Sequence, residues 1–191
     1  MTFCSKKISG LLAALPLLMG VISCAHAQAP ITERSYGDVA FKLQRLSSNE
    51  SNYLKLPNAW AASYGSDAYK TLGVDRKIAQ LVRLRVSQLK NCNYCEITHS
   101  TEAFNAGLSK EAVYSVASWR QSELFSAKEK AALFYAEALS NLNQDDIQKA
   151  YDGLNENGFT KADQEELTNC VILMEVWSRV FLAQGKTSYK K

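Results

Sequence analysis

The chain has 191 residues, with 22 Lys and Arg against 19 Asp and Glu, a formal balance of +3. Nearly half of it is apolar, enough for one domain with its own core, and so even a charge gives no electrostatic footing for nucleic acid or an anionic membrane. Five cysteines and two histidines leave few side chains able to carry redox or metal chemistry.

Residues 1–27 read as a secretory signal peptide. Lys6 and Lys7 form a short basic start, an apolar run extends from Leu11 to Ile22, and small residues follow. The run is shorter than the ~20 residues that a spanning helix needs. Two processing sites compete. Ala25-His26-Ala27 offers a cut before Gln28, while Val21-Ile22-Ser23-Cys24 resembles a lipobox that would leave Cys24 as a lipid anchor. The first is preferred, because a lipobox ordinarily carries Leu and Ala or Ser where this chain has Val and Ile. Either route exports the protein to the periplasm, and nothing downstream reads as a membrane span. The mature chain then has 20 basic against 19 acidic residues, three cysteines (Cys92, Cys95 and Cys170), and His99 as its only histidine.

Residues 28–48 read as a polar tether whose short amphipathic piece (Val39, Phe41, Leu43, Leu46) leads into a weak helix, and residues 49–191 as a helical domain. Leu56-Pro57-Asn58 is a start signal, with Asn58 capping a helix over 59–72 that Gly73 ends. Asp75 caps the next, over 76–90, where Ile78, Leu81, Val82, Val86 and Leu89 recur at helical spacing. Asn91 and Asn93 interrupt that pattern, and a further helix carries the cysteines as far as Asn105-Ala106-Gly107. Ser109 caps a helix over 110–119, and Ser126-Ala127-Lys128-Glu129 is a capping box opening the helix of Leu133, Phe134 and Leu139. Asn143 to Asp146 caps another that Gly158 breaks. Thr160-Lys161-Ala162-Asp163 opens the longest, to about Gln184, before Gly185 and a basic tail. Its apolar run from Val171 to Leu182 predicts burial on most sides, with Glu175 and Arg179 paired one turn apart at the surface. Period-two alternation is confined to a few residues, so the expected class is all-α, a bundle of six to seven helices with short capped turns.

The chemistry is concentrated in 80–100, QLVRLRVSQLKNCNYCEITHS. On a helix, Cys92, Cys95 and His99 fall within an arc of ~60° on one face. C-x-x-C with a histidine and Cys170 also resembles a zinc ligand set, but structural zinc sites usually draw the second ligand pair from another segment. Cys170 lies among Leu167, Val171 and Met174 and reads as a small buried hydrophobe. Haem attachment needs His directly after the second cysteine, where Glu96 stands. A thioredoxin-type site needs a preceding strand, and the segment here is helical. A purely structural disulfide would close a tiny loop and stabilise little. Helix geometry would also leave it reducible, so two thiols beside the one imidazole favour thiol–disulfide chemistry.

The run Leu81-Val82-Arg83-Leu84-Arg85-Val86-Ser87-Gln88-Leu89, followed by Cys92-x-x-Cys95-x-x-x-His99, resembles the AhpD-like alkylhydroperoxidase / carboxymuconolactone decarboxylase family. Ala106-Gly107-Leu108-Ser109 and the region from Trp119 through Leu124-Phe125-Ser126 to Leu139 are similar to it too, so the likeness spans about 58–139. The resemblance implies an AhpD-like helical bundle, a homo-oligomer (trimer or hexamer), and peroxide reduction in the branch that carries C-x-x-C. The family motif is a Glu, eleven residues, then C-x-x-C-x-x-x-H, and the Glu position here is Gln80. The carboxylate end of the family's proton relay is therefore absent. Tyr94 stands where the best-known type has a second His.

By position, Cys95 is the attacking thiol, one turn before His99 as its base, and Cys92 the resolving thiol. Glu102, three residues after His99, is a candidate to orient the imidazole in place of the lost carboxylate, and Glu96 reads as a solvated surface acid. The implied partners are a peroxide and an unidentified dithiol reductant, with no cofactor and no metal. The family's lipoyl-bearing reductants are cytoplasmic, so an exported member needs another electron source. Three alternatives stand beside this reading: a thiol-independent decarboxylase, a thiol–disulfide oxidoreductase, and an inert-disulfide helical oligomer.

Overall fold

The computed structural model describes residues 36–47, 51–63 and 73–191. The expected signal peptide, the alternative anchor at Cys24 and much of the expected 59–72 helix lie outside these residues. Seven α-helices occur among the described residues: α1 (Lys55–Ser63), α2 (Arg76–Leu89), α3 (Asn93–Asn105), α4 (Lys110–Ser115), α5 (Ala127–Ser140), α6 (Gln144–Glu156) and α7 (Lys161–Gln184). No helix among them is long and apolar enough to cross a membrane.

The helix α2 is the centre of the packing, against α3, α5 and α7. Ile78, Ala79, Val82 and Val86 enter a core cluster shared with Tyr135, Leu154, Leu167 and Val171. Leu81 and Leu84, on another face, enter a second cluster with Ala103, Val113, Val116, Trp119 and Leu133. Caps set the boundaries. Asp75 accepts from the Lys77 N–H at the start of α2, and full capping boxes open α5 (Ser126 with Glu129) and α7 (Thr160 with Asp163). The segment expected as one helix over 110–119 divides, α4 giving way after Ser115 to a 3-10 helix (Val116–Gln121) that is itself kinked at Ser118. Asn58 is not a cap: α1 begins at Lys55, with Pro57 in its first turn, where a missing N–H leaves no bond unmade.

The ends of the domain depart from expectation. Val39–Lys42 is a strand, β1, not a weak helix, and it pairs antiparallel with β2 (Thr187–Lys190), cut from the expected basic tail. The partners are Val39 with Lys190 and Phe41 with Ser188. Local propensity could not reveal the pairing, because the strands lie far apart in sequence and neither forms a ladder alone. Gly185, at φ 62°, turns the chain out of α7, with its N–H on Leu182 and that of Lys186 on Phe181, and so sends β2 back toward β1. The ribbon lies against α3: Ser188 Oγ donates to Asn93 Oδ1 at 2.6 Å, and the Tyr36 hydroxyl is 3.0 Å from Thr98 Oγ1. Tyr94 sits in an aromatic cluster with Phe41 (4.7 Å between centroids) and Phe181 (4.5 Å). Lys186 Nζ lies 3.5 Å above the Tyr94 ring, and burial there pushes the ammonium down to about 8.

Two buried or half-buried carboxylates tie helices together. Glu137 on α5 accepts from Arg85 Nε (2.6 Å), from Trp119 Nε1 (2.8 Å) and from the Arg120 guanidinium. Burial alone would raise its pKa, but the hydrogen bonds from Trp119, Arg120 and Arg85 outweigh it and hold the carboxyl below its ordinary 4.5. Glu175 on α7 accepts from Ser140 Oγ (2.6 Å), Lys90 Nζ (2.9 Å) and Arg179, and is held low in the same way. The expected Glu175–Arg179 pair is present, as part of this larger set.

Because both folded values lie below 4.5, the stability these carboxylates contribute is complete above that pH and is lost as pH falls through the folded values. Glu137→Gln should lower the unfolding free energy at pH 7 by about 2–3 kcal/mol in urea titrations, discounted for the exposed Arg120. That difference should shrink below pH 4; a constant gap down to pH 3 would contradict the assignment. Tyr94→Ala removes the ring shared by Phe41, Phe181 and Lys186 and should cost about 2–3 kcal/mol in the same assay.

Candidate active site: a disulfide at the start of α3

The turn between α2 and α3 builds the site. Asn91 takes a left-handed conformation (φ 51°), which Asn tolerates better than most residues. Its N–H reaches Gln88 O and that of Cys92 reaches Ser87 O, closing α2 in the pattern usually made by glycine. The chain then enters α3 with Cys92 as the cap itself, its sulfur accepting from the Cys95 N–H at 3.4 Å. Cys92 therefore precedes the helix that carries Cys95 and His99.

Cys92 and Cys95 form a disulfide with Cα atoms 5.2 Å apart, and both residues are only 2% exposed. The sulfurs sit at the first turn of α3, where unpaired N–H groups and the helix dipole favour negative charge. His99, one turn on, is also buried. Its Nδ1 lies 3.0 Å from Oε1 of Gln80, a fully buried residue of α2. With an amide oxygen as acceptor, Nδ1–H donates, and in the neutral imidazole this tautomer puts the lone pair on Nε2, the form required of a base. Gln80 differs from a carboxylate in two ways. It brings no charge to stabilise an imidazolium, and its Nε2 finds no hydrogen-bond partner among the described residues.

The structure thus brings Gln80, Cys92, Cys95 and His99 together from two helices. Glu102 is on α3 as well, and its carboxylate pairs with the Arg76 guanidinium at 3.3 Å. Glu96 is half-buried rather than fully solvated, and burial raises its pKa. Cys170 is a buried free thiol whose pKa burial pushes up, which matches a packing role. Among the described residues, no group of three or more His, Cys, Asp or Glu side chains is placed to hold a metal. Sequence reasoning does not single out Ser178, a fully buried residue of α7 whose Oγ is 3.7 Å from Cys95 Sγ. Its signal is a hydroxyl on the core face shared by Cys170, Val171 and Met174.

Residues 55–138 match the model of the carboxymuconolactone decarboxylase family. The uncharacterised protein YdfG of Bacillus subtilis is 25% identical over 125 residues, 64% of this chain and 83% of its own length. YnjA of Escherichia coli is 43% identical over 68 residues, 35% of this chain and 37% of YnjA. Among solved structures, a protein of unknown function from Agrobacterium tumefaciens, described as a candidate AhpD antioxidant defence protein, superposes with a TM-score of 0.65 at 20% identity. The match covers 75% of this chain and 96% of that one. The debrominase Bmp8, as a variant in complex with 2,3,4-tribromopyrrole, gives 0.60 at 15% identity over 76% of this chain and 90% of its own. A peroxidase-related protein from Silicibacter gives 0.61 at 16% over 69% of each. The fold is AhpD-like, and the C-x-x-C-x-x-x-H helix start lies inside the segment, residues 55–138, that matches the carboxymuconolactone decarboxylase family model.

Proposed function

We propose that the protein is an exported, thiol-dependent peroxide reductase that works through Cys95 and Cys92, with His99 as base. The observation that carries this reading is the Cys92–Cys95 disulfide one helical turn from an imidazole whose Nδ1 is held by Gln80. In the reduced enzyme His99 Nε2 takes the Cys95 proton. The thiolate attacks the outer peroxide oxygen, forming an S–O bond as the O–O bond breaks, and the alkoxide leaves as alcohol with the proton from His99. Sulfur has then lost two electrons. The Cys92 thiol displaces water from the sulfenic acid to form the disulfide, and an external dithiol returns the two electrons by exchange. The net change is peroxide plus dithiol giving alcohol, water and disulfide.

Burial of both cysteines favours a small oxidant over a protein disulfide, and requires a reductant with a slender dithiol. The peroxidase-related and antioxidant descriptions of two structural neighbours agree with this reading. Orientation of His99 falls to Gln80 in this proposal, because Glu102 is engaged by Arg76. We place the enzyme in the periplasm as a homo-oligomer, drawing electrons from a donor other than the family's cytoplasmic ones.

Stopped-flow loss of thiols after mixing reduced protein with tert-butyl hydroperoxide tests the proposal. The protein should react at least about tenfold faster than free cysteine at neutral pH, and a rate equal to free cysteine removes the peroxidase reading. Cys95→Ser should abolish the fast phase, whereas Cys92→Ser should keep it and accumulate a trappable sulfenic acid. An activity that survives Cys92→Ser/Cys95→Ser would instead identify a thiol-independent enzyme such as a decarboxylase. Gln80→Glu, by giving the imidazolium a carboxylate partner, should raise the rate about tenfold, and Gln80→Leu should lower it by a similar factor. Glu102→Gln should leave it unchanged; a clear loss there would return the orienting role to Glu102.

A further inference from the structure

The hydroxyl of Ser178 is singled out by what it does not do. Three other helical hydroxyls bond back to the carbonyl one turn earlier, Ser87 to Arg83 O (2.7 Å), Thr101 to Ile97 O (2.9 Å) and Thr168 to Gln164 O (2.7 Å), and the buried Ser140 donates to the Glu175 carboxylate. The carbonyl one turn earlier is the ordinary resting place for a helical Ser or Thr. Ser178 is fully buried in the C-terminal part of α7, and its Oγ instead meets Cys95 Sγ at 3.7 Å. A disulfide sulfur is a weak acceptor, so in the oxidised protein this contact contributes little. A thiolate is a strong one, and a hydrogen bond to a charged group is worth about twice a neutral bond.

We propose that Ser178 is a thiolate-stabilising residue, whose hydroxyl donates to the ionised Cys95 sulfur in the reduced protein and raises its population at neutral pH. The proposal rests on the reading that Cys95 is the reactive sulfur, and it deepens that reading. The neutral Gln80 leaves the His99 relay without a terminal charge, and a buried donor reaching the sulfur from α7 supplies stabilisation by a route the relay does not use. Because the donor favours the reduced anion over the disulfide, it also makes the pair more readily reduced.

The charged and titratable groups on the elements packed here include Glu96, His99 and Glu102 on α3, Arg83 and Arg85 on α2 with Lys90 just after it, Cys170, Glu175 and Arg179 on α7, and Lys186 at the base of the ribbon. All are retained when the hydroxyl alone is removed. Ser178→Ala takes away one oxygen and leaves the helix intact, so it should fold, and Ser178→Thr keeps a hydroxyl at the same place.

The experiment is the pH profile of iodoacetamide alkylation at Cys95 in the reduced full chain, read by peptide mass spectrometry so that Cys92 and Cys170 are scored separately. Ser178→Ala should move the Cys95 midpoint up by about one unit, roughly a tenfold loss of thiolate below the midpoint, with Ser178→Thr close to the parent. Coincident profiles for the parent and Ser178→Ala overturn the proposal. So does a Ser178→Thr profile that follows Ser178→Ala, because packing and not the hydroxyl would then set the midpoint. The measurement needs no peroxide, so the role of Ser178 is decided even in a protein inert to tert-butyl hydroperoxide. Loss of the peroxidase reading and loss of this one are thereby separable.

Discussion

Burying α2 on nearly every side forces the polar side chains it carries to find partners inside the protein. A buried polar atom left unmatched costs about 1–3 kcal/mol, a large share of the stability of a domain this size. The helix meets much of that demand with Gln80 Oε1 on His99, Ser87 on the Arg83 carbonyl, and Arg85 on Glu137, while Gln80 Nε2 stays unmatched among the described residues. Much of what is specific about the molecule follows from those pairings. Glu137 draws in Trp119 and Arg120 and so fixes the 3-10 segment against α5. Gln80 fixes the imidazole of the candidate site.

The site is an outcome of helix termination as much as of helix formation. A left-handed Asn91 ends α2 and delivers Cys92 as the cap of α3. The two cysteines thus straddle a helix boundary, one outside the hydrogen-bonded ladder and one inside it, and the sulfur–sulfur bond closes that boundary. His99 is carried on the same rigid helix, so its spacing from Cys95 is set by the backbone and not by loop motion. The β ribbon then covers this end of α3 through Ser188, Tyr36 and the rings around Tyr94. Covering the cysteines lowers the local dielectric, which strengthens each hydrogen bond to a developing charge and limits the size of what can reach the sulfur.

Much of the helical bundle is legible in the sequence because its signals are local. Asp75, Ser109, Ser126, Asn143 and Thr160 cap the helices that their positions predict, each satisfying N–H groups within three residues of itself. Two segments break the pattern. Asn58 has the character of a cap but lies inside α1, since the proline before it is equally at home in a first helical turn. Val39 and Phe41 suit one face of a weak helix, yet two apolar residues at a spacing of two also suit a strand, and only a partner could decide. That partner, Thr187–Lys190, is a polar, basic segment with no strand signal of its own strength.

Capping and the 3.6-residue repeat act over a few residues, so the all-α class, most helix boundaries, and the grouping of Cys92, Cys95 and His99 are already written in the order of the residues. Resemblance to the family motif, counted back from Cys92, likewise marks Gln80 as the position where that motif carries Glu. Tertiary structure was needed to establish that Gln80 meets Nδ1 of His99, that Glu102 turns to Arg76, and that Ser178 reaches Cys95 from a helix 83 residues further on. Those contacts depend on how α7 and α2 lie across α3. That arrangement is fixed by the joint packing of two core clusters, a property that no short window of residues contains.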